Sequence, residues 1–283
     1  MTTLVSTTSN GTLKLSPEAK QRLHPGEYLR QFVDQGARLD FRKLSEFRSP
    51  MVTKGSISSA NASALVSLGK TVVLCAVKAE VAVPSPDSPD RGFFVPNVDL
   101  PPICSTAFRP GPPAAQAQVL SQMIADIHAR TPIVDTEALC IEEGQAVWVL
   151  YADIVCLSYD GNVLDAALLA LAAALKSALL PAVEFDEEQG SVRASSKLTI
   201  PVTVLRTPLS TTIAVFNGKM LVDPTEDEEK LVSQSTVAIV DATGAPGSMM
   251  GIHTSGQSTA DMEQLRTYAS IAQERAAELA ALI

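Results

Sequence analysis

The stretch VWVLYADIVCLSYDGNVLDAALLALAAAL, Val147–Leu175, decides the fold class of this chain. Successive side chains of a strand point to opposite faces, and in the first half of this stretch both sets are mostly apolar. This pattern predicts a long central strand that is covered on both faces. Asp160 and Gly161 then turn the chain, and an Ala- and Leu-rich run predicts a buried helix that ends before Pro181. A junction of this kind points backbone N–H groups at a helix N-terminus, where phosphate is commonly bound.

The composition limits what the chain can do by itself. It has 283 residues, 46% of them hydrophobic and only 5% aromatic, and a net charge of −9. This length allows one large domain or two modest ones around a core of Ala, Val and Leu. The negative charge argues against free-standing nucleic-acid binding, because that binding needs Lys and Arg to displace counterions. Contact with RNA would therefore require a local basic patch or a partner.

Cofactors, metals and membranes are not indicated. The four cysteines (75, 104, 140 and 156) and three histidines are widely spaced, so we expect buried, free thiols in a reducing compartment and neither a disulfide framework nor a metal site. No secretory signal is evident at the N-terminus. The apolar run Val163–Leu180 contains Asp165 and Lys176, which favours a buried helix over a membrane span. These patterns predict a soluble intracellular protein.

The first half of the chain reads as helices followed by strands. Ser16-Pro17-Glu18 predicts a helix start, and a second helix is expected from Pro25 to Gln35. An antiparallel meander follows, with strands at about Phe47–Ile57, Ser63–Leu68 and Thr71–Glu80. The Pro-rich segment Pro84–Pro113 is interpreted as a long functional or interface loop. A helix then begins, with an apolar face formed by Val119, Met123, Ile124 and Ile127.

The second half repeats the alternation. After a turn-rich acidic patch at Glu184–Gly190, four strands are expected in KLTIPVTVLR, TTIAVFNGKMLVDP, STVAIVDATG and SMMGIHTS. Asn217-Gly218 and Ala242-Thr243-Gly244 form tight turns. An amphipathic helix closes the chain, and Ser258 and Asp261 stand at capping-box spacing before it. The order of elements predicts an α+β fold in two related lobes.

Several motifs resemble those of the RNase PH family. RLDFRKLSEFR (Arg38–Arg48) resembles its opening Arg-x-Asp-Gly-Arg box, and Val147–Leu175 resembles its strand, Asp-Gly turn and helix. AVFNGKMLVDPTEDEE (Ala214–Glu229) resembles a later hairpin. VPNVDLPPICSTAFRPGPPAAQAQVLSQMIAD (Val95–Asp126) is similar to RNase PH-like ring subunits of the eukaryotic RNA exosome. The likeness runs from about Glu27 to the last helix.

The resemblance implies an RNase PH-like α+β fold, with two lobes of mixed or antiparallel sheet and packed helices. The expected divisions are an N-terminal extension (1–26), an N-terminal lobe (27–190) and a C-terminal lobe (191–283). It also implies a hexameric ring with other RNase PH-like subunits, RNA-binding cap subunits, an associated 3′ exoribonuclease and single-stranded RNA in the channel. Nucleus, nucleolus and cytoplasm are the expected locations, and rRNA processing, RNA degradation and mRNA decay the expected pathways.

Active members of the family carry a Gly-Thr-Arg phosphate-binding sequence at the turn, where this chain reads Asn162-Val163-Leu164. A bound phosphate needs N–H donors, a hydroxyl and a cation, and the last two are replaced by apolar side chains. Asn162 and Asp165 stand at N-cap and N3 spacing, so we expect Asp165 to satisfy the helix end itself. The turn is therefore predicted to be a degenerate, self-capped phosphate site.

The resemblance places the catalytic acids at Asp223 and Glu229, with Asp227 as a local competitor. Such a pair can perform acid–base catalysis, but a turn cap on a solvated acidic face is the favoured interpretation. Asp153, inside the apolar strand, is expected to be buried with a structural hydrogen-bond partner. The Arg box departs from the family at Phe41, where Gly is expected, and Arg38, Asp40 and Arg42 are expected to form structural ion pairs.

Arg109 lies at a position where relatives place an RNA-contacting Arg that faces the channel. It sits between Phe108 and Pro110, and an Arg beside an aromatic ring can hold a single strand by phosphate contact and stacking. A surface or subunit-interface Arg is the alternative. Arg91 is a second candidate for RNA contact.

We therefore predict a non-catalytic ring subunit without cofactor or metal. The main alternative is an active phosphorolytic 3′-5′ exoribonuclease that uses Asp223 and Glu229. A metabolic α+β enzyme unrelated to RNA is a second alternative.

Overall fold

The computed structural model of the chain describes residues 5–7, 13–15, 17–186, 191–243, 247–256 and 261–283. The helices are α1 (Pro17–Leu23), α2 (Pro25–Asp34), α3 (Ala115–Arg130), α4 (Val163–Lys176), α5 (Glu226–Glu229) and α6 (Met262–Ala280). The strands are β1 (Val5–Thr7), β2 (Leu13–Leu15), β3 (Pro50–Lys54), β4 (Ala62–Leu68), β5 (Thr71–Ala82), β6 (Phe93–Asp99), β7 (Cys140–Glu142), β8 (Ala146–Ser158), β9 (Leu179–Asp186), β10 (Ser191–Pro201), β11 (Pro208–Phe216), β12 (Lys219–Val222), β13 (Gln234–Asp241) and β14 (Ser248–Gly256).

The first large sheet is mixed. Its strands lie in the order β3-β4-β5-β8-β6, and β7 also pairs with β8. The predicted meander of β3, β4 and β5 is confirmed, with antiparallel pairing throughout. β6 runs parallel to β8, and α3 packs on β6. The predicted α+β class is confirmed by this sheet and by the antiparallel sheet described below.

The second sheet is antiparallel, in the order β12-β11-β13-β14. Asn217 and Gly218 form the predicted turn between β11 and β12, both with positive φ (50° and 76°). α6 packs on β11 and β13. Asp261 caps α6 by accepting from the Met262 N–H at 2.7 Å, and its own N–H donates to the Gln264 side chain. The predicted caps and turns at Ser258 and Gly244 lie outside the described residues.

α4 joins the two sheets. It packs against β4 and β5 on one side and β11 on the other. Its residues are buried from Val163 to Leu175 apart from the partly buried Asp165, as the Ala- and Leu-rich sequence predicts. Small Ala side chains let both sheets approach closely, while each fully buried Leu contributes about 2 kcal/mol. Among the described helices, none has the length and hydropathy needed to cross a membrane.

The Pro-rich segment Pro84–Pro113 is not all loop, because β6 lies within it. β8 is central, but the prediction that both its faces are covered is wrong. On one face Tyr151, Asp153 and Leu157 are exposed. Asp153 is therefore not a buried carboxylate, although Asn97 Nδ2 does donate to it at 3.4 Å.

Smaller predictions also needed correction. On α3, Ile124 and Ile127 are buried as expected, but Val119 is exposed. The acidic patch at Glu184–Gly190 begins inside β9 rather than in a turn, and residues 187–190 lie outside the described part of the chain. In KLTIPVTVLR the strand β10 stops at Pro201.

The Asp-Gly turn after β8 packs tightly against the start of α5. Gly161 has φ +73°, and a Cβ added there would lie 2.6 Å from the backbone N of Glu226 and 2.8 Å from the carbonyl oxygen of Pro224. Only a residue without a side chain therefore lets the turn meet the segment 224–226. Gly36 has a similar φ of +79°, but nothing lies within 4 Å of its virtual Cβ.

We expect Gly161→Ala to lower the free energy of unfolding by about 3 kcal/mol or more, because it adds a backbone clash to the left-handed strain. The control Gly36→Ala carries the strain alone and should cost about 1 kcal/mol. Chemical denaturation of both variants measures the difference. Equal losses would show that the turn does not depend on close backbone packing.

Candidate functional site at the Asp-Gly turn

Asn162 is the centre of the candidate site. It has left-handed φ and ψ (52°, 47°) at the start of α4, and its side chain makes no cap hydrogen bond to the helix. Its backbone N–H instead donates to Glu229 Oε1 at 2.7 Å. Its side-chain Nδ2 donates to Asp165 Oδ2 at 2.8 Å and to Asp223 Oδ1 at 2.6 Å. One residue thus brings together a carboxylate of its own helix, Asp165, and two that lie 61 and 67 residues further along the chain, Asp223 and Glu229.

Asp165 does not cap the helix, and this prediction is corrected. Its carboxylate accepts from Ser210 Oγ at 2.6 Å and from Thr212, through Oγ1 and the backbone N–H, both at 2.9 Å. These donors lie on β11, so Asp165 ties α4 to the second sheet. Burial raises its pKa, while hydrogen bonds from Ser210 and Asn162 oppose the change.

Val163 and Leu164 are both buried, with 4% and 6% of their surface exposed. They belong to the main core around α4. Apolar, inward-facing side chains supply neither a hydroxyl nor a cation to an anion at this helix end. The side chains of these two residues are therefore used for packing.

Asp223 is the most strongly held carboxylate of the site. It is 1% exposed, and Arg48 donates to both its oxygens, from Nε at 2.9 Å and Nη2 at 2.7 Å, with the Arg48 backbone N–H adding a third bond. Arg42 Nη1 lies 3.2 Å away. Burial acts to raise the pKa of Asp223, but the bonds from Arg48 and Asn162 prevail and lower it to about 2.

This environment contradicts the interpretation of Asp223 as part of a solvated acidic face. Of the three acidic residues considered there, only Asp227 is exposed. The desolvation cost of the Asp223 carboxylate is offset by two guanidiniums and an amide. A carboxylate saturated in this way is a structural counter-ion.

The Arg box forms ion pairs, as predicted, and Arg42 pairs with Asp40 inside the box. The partners Glu228 and Asp223 were not indicated by the sequence. Arg38 is fully buried, donates to both oxygens of Glu228, and also bonds the carbonyl oxygens of Val222 and Asp223. Arg42 pairs with Asp40 as well as with Asp223.

Phe41 occupies a position in this box that favours glycine. Its φ is +66°, in the left-handed region that costs a side-chain-bearing residue about 1 kcal/mol. Its ring is 88% exposed. The departure from the family pattern is thus a strained but tolerated residue, and it leaves the ion pairs of Arg38 and Arg42 intact.

Glu229 is partly buried beside the turn. Its Oε1 accepts from the Asn162 N–H, and its Oε2 accepts from the Tyr159 hydroxyl at 3.0 Å. Burial raises its pKa. Glu229 therefore presents a carboxylate to a backbone N–H at the start of α4, where an external anion would otherwise be expected to bind.

Carboxylates are the charged groups in direct contact with Asn162. Four carboxylates surround or adjoin this residue, and two guanidiniums form ion pairs with some of them. The acids are Asp160, Asp165, Asp223 and Glu229, and the cations are Arg42 and Arg48. An incoming phosphate would meet a like charge at close range, which costs several kcal/mol at an intermediate dielectric.

Arg109 is exposed and, within the described part of the chain, its guanidinium has no hydrogen bond or ion pair. Phe108 beside it is partly buried, and its ring packs edge-on against Tyr159 at 5.3 Å. Arg91 differs, since its Nη2 pairs with Glu137 at 2.9 Å. Of the two candidates for RNA contact, Arg109 is the one with a free charge.

Three important residues were missed by sequence reasoning. Arg48 and Glu228 are the counter-ions of Asp223 and Arg38, and Tyr159 links Glu229 to the loop that carries Arg109. A buried charge in a family box signals that a partner is needed, but it does not say which of the many charged residues supplies it.

The cysteines are free thiols, and Cys75, Cys104 and Cys156 are buried. Burial raises the pKa of Cys75 to about 12. In the described ranges, no group of three or more His, Cys, Asp or Glu side chains, the carboxylates around Asn162 included, is arranged to hold a metal ion.

Two family models match the chain. The RNase PH model described as "3′ exoribonuclease family, domain 1" matches residues 46–181, and the model for domain 2 matches residues 207–275. The chain belongs to the RNase PH family. The two matched segments contain the mixed and the antiparallel sheet, while the exact divisions at residues 26 and 190 stay a prediction.

Relatives of this RNase PH chain are exosome components. It is 42% identical over 222 residues to exosome complex component rrp43 of Schizosaccharomyces pombe, covering 78% of this chain and 82% of the relative. It is 34% identical to exosome complex component Rrp42 of Methanosarcina acetivorans, with 90% and 92% covered. In structure it is similar to a chain of the Archaeoglobus fulgidus exosome with RNA bound to the active site (TM-score 0.76, 31% identity, 89% and 95% covered).

The Asp223 ion pairs make stability depend on acid pH. The folded pKa of about 2 lies below the ordinary value of 3.8, so the contribution of Asp223 is present above about pH 4 and is lost as the pH falls towards 2. We expect Asp223→Asn to cost about 3 to 5 kcal/mol at pH 7, because it leaves Arg48 without its counter-charge.

Denaturant unfolding of both proteins from pH 7 to pH 2 measures this. The gap between them should be constant down to about pH 5 and narrow below about pH 4. Asp227→Asn, at an exposed position, is the control and should show little change at any pH. A gap for Asp223→Asn that keeps its full size down to pH 2 would contradict the assignment.

Proposed function

We propose that this RNase PH chain is a non-catalytic subunit of an exosome ring. In this role it completes the ring with other RNase PH-like subunits, forms part of the channel for single-stranded RNA, and supports docking of RNA-binding caps and of a separate 3′ exoribonuclease. Nucleus, nucleolus and cytoplasm are the proposed locations, with rRNA processing, RNA degradation and mRNA decay as the pathways. Its relatives among exosome components support the ring role.

The contact between Glu229 and Asn162 carries the non-catalytic part of the proposal. Phosphorolysis needs an inorganic phosphate whose oxygen attacks the terminal phosphodiester, and donors must balance its charge in place. Here the Asn162 N–H already donates to a carboxylate of the same chain. The side chains of Val163 and Leu164 are buried, and Arg48, the nearest well-placed cation, is used by Asp223.

The alternative is an active phosphorolytic exoribonuclease that uses Asp223 and Glu229. Both acids do meet at Asn162, which is the observation in its favour. Their surroundings oppose it, because Asp223 is held ionised by Arg48 and Glu229 accepts two hydrogen bonds.

An activity assay distinguishes these functions. The purified chain, alone and in the assembled ring, is incubated with 3′-labelled RNA and inorganic phosphate. We expect no release of nucleoside diphosphate that depends on this chain. Glu229→Gln tests the same point within the ring, and at saturating RNA it should leave any phosphorolysis by other subunits unchanged. Diphosphate release that the substitution abolishes would establish the alternative.

Arg109 is the proposed RNA contact of this subunit. Its exposure and its unpaired charge support the proposal, whereas the charge of Arg91 is partly neutralised by Glu137. Because Phe108 is partly buried and packs on Tyr159, the proposed contact is with backbone phosphate.

We expect Arg109→Ala to weaken binding of single-stranded RNA by the assembled ring several-fold. It should also reduce the slope of log K against log salt by about 0.7, the value for one phosphate contact on a single strand. Arg30→Ala, which removes an exposed cation paired with Asp34, is the matched control. An unchanged slope for Arg109→Ala would show that this Arg does not bind phosphate.

Exposed apolar side chains support burial of this chain in an assembly. One face of the mixed sheet leaves Val95, Tyr151 and Leu157 partly in water, and neighbours across the strands extend the patch, since Val95 pairs with Tyr151 in the register. Affinity purification of the tagged chain should recover RNase PH-like partners. Recovery of a monomer, or of unrelated metabolic enzymes, would contradict the ring role.

A further inference from the structure

The loop between β6 and α3, residues 100–114, has little internal structure to hold Arg109 in place. Its own backbone bonds are two short turns, from the Cys104 N–H to Pro101 O and from the Phe108 N–H to Ser105 O. Pro-rich chain lacks many of the N–H donors that would form more. The conformation of the loop therefore depends on contacts with the rest of the molecule.

Tyr159 contacts this loop near its beginning and in its middle, and it also contacts the first turn of α3, which follows the loop. Its backbone N–H donates to Cys104 O at 3.1 Å. Its ring packs edge-on against Phe108, with planes at 88°. Its hydroxyl oxygen accepts from Nε2 of Gln116, at the start of α3, at 3.3 Å. Phe108 is the residue next to Arg109, so the ring contact fixes the chain directly beside the exposed guanidinium.

Tyr159 is in turn held in place by Glu229, which also binds the Asp-Gly turn at Asn162. Its hydroxyl proton goes to Glu229 Oε2 at 3.0 Å, and Glu229 Oε1 accepts from the Asn162 N–H at 2.7 Å. Each hydrogen bond in this series has a fixed direction. Gln116 donates to Tyr159, and Tyr159 and Asn162 both donate to Glu229. The series is complete only when Glu229 supplies two acceptor oxygens.

We propose that Tyr159 is a positioning residue for the Arg109 loop, and that Glu229 supports this role by anchoring the Tyr159 hydroxyl. The acid that the resemblance places at a catalytic position thereby orders an RNA-contacting loop. The effect on RNA rests on the proposed function of Arg109, whereas the effect on the loop itself does not.

The chain offers a matched control. Tyr28 packs its ring edge-on against Phe32 at 5.2 Å, as Tyr159 does against Phe108, but its hydroxyl makes no hydrogen bond within the described residues. Tyr159→Phe removes the hydroxyl and keeps the ring contact with Phe108, while Tyr159→Leu removes both. Tyr28→Phe removes a hydroxyl that has no comparable role.

Hydrogen exchange on the assembled ring tests the positioning directly. We expect Tyr159→Phe to accelerate exchange of the Cys104 and Phe108 amides by about tenfold, which corresponds to the loss of one net hydrogen bond. Tyr159→Leu should accelerate it further, and Glu229→Ala should match Tyr159→Phe. Exchange in α4 should stay unchanged in both Tyr159 variants, Glu229→Ala should in addition accelerate exchange of the Asn162 amide, and Tyr28→Phe should resemble the unmodified ring.

RNA affinity supplies the second readout. Tyr159→Leu should weaken single-stranded RNA binding as much as Arg109→Ala does, and the double variant Tyr159→Leu/Arg109→Ala should be no weaker than either. Phe at position 159 should restore part of the affinity lost with Leu. Additive losses would show that Tyr159 acts only through general stability.

The two proposals can fail separately. If Arg109→Ala leaves RNA binding unchanged, the proposed RNA contact is wrong, and the exchange data alone decide whether Tyr159 orders the loop. If loop exchange in Tyr159→Phe and Tyr159→Leu equals that of the unmodified ring, the positioning role is wrong, whatever Arg109 does.

Discussion

The buried carboxylate of Asp223 is the constraint on which the site depends. A charge removed from water must be balanced nearby, or the fold loses several kcal/mol. Arg48, Arg42 and Asn162 provide that balance, and they come from separate parts of the chain. Meeting this requirement brings the Arg box, the Asp-Gly turn and the β11–β12 hairpin together at one point.

The same requirement separates structure from chemistry at this site. An acid–base catalyst must change its protonation state, and a phosphate site must offer unused donors. Asp223 is held ionised by its guanidinium partners, and the Asn162 N–H is used by Glu229. The two acids occupy a catalytic-looking arrangement, yet each of their strong contacts serves the internal structure of the protein.

The local sequence pattern was a good guide to the helices and strands. The strand, turn and helix of Val147–Leu175 could be predicted because apolar periodicity and an Asp-Gly turn are properties of neighbouring residues. β6 was missed because Pro96, Asn97 and Asp99 interrupt the apolar pattern of an edge strand. The exposed face of β8 was misread because apolar residues there do not reveal whether this chain or another covers them.

Prediction of the site was limited by long-range contacts. The turn was recognised from its residues, but Asp165 accepts hydrogen bonds from Ser210 and Thr212 of β11. These two residues lie 45 and 47 positions further along the chain. The partner of Asp223, Arg48, is 175 residues away. The N-cap spacing of Asn162 and Asp165 suggested that Asp165 accepts from the N–H groups of the helix end. The competing hydroxyls of Ser210 and Thr212 are brought to Asp165 only by the packing of β11 against α4.

The ion pairs of the Arg box also set an order for folding during synthesis. Arg38 and Arg48 are buried against Glu228 and Asp223, which are 190 and 175 residues later in the chain. Until those acids leave the ribosome, burial of either guanidinium would be unbalanced and strongly unfavourable. The N-terminal lobe therefore cannot reach its final packing until the β11–β12 hairpin and α5 have been synthesised.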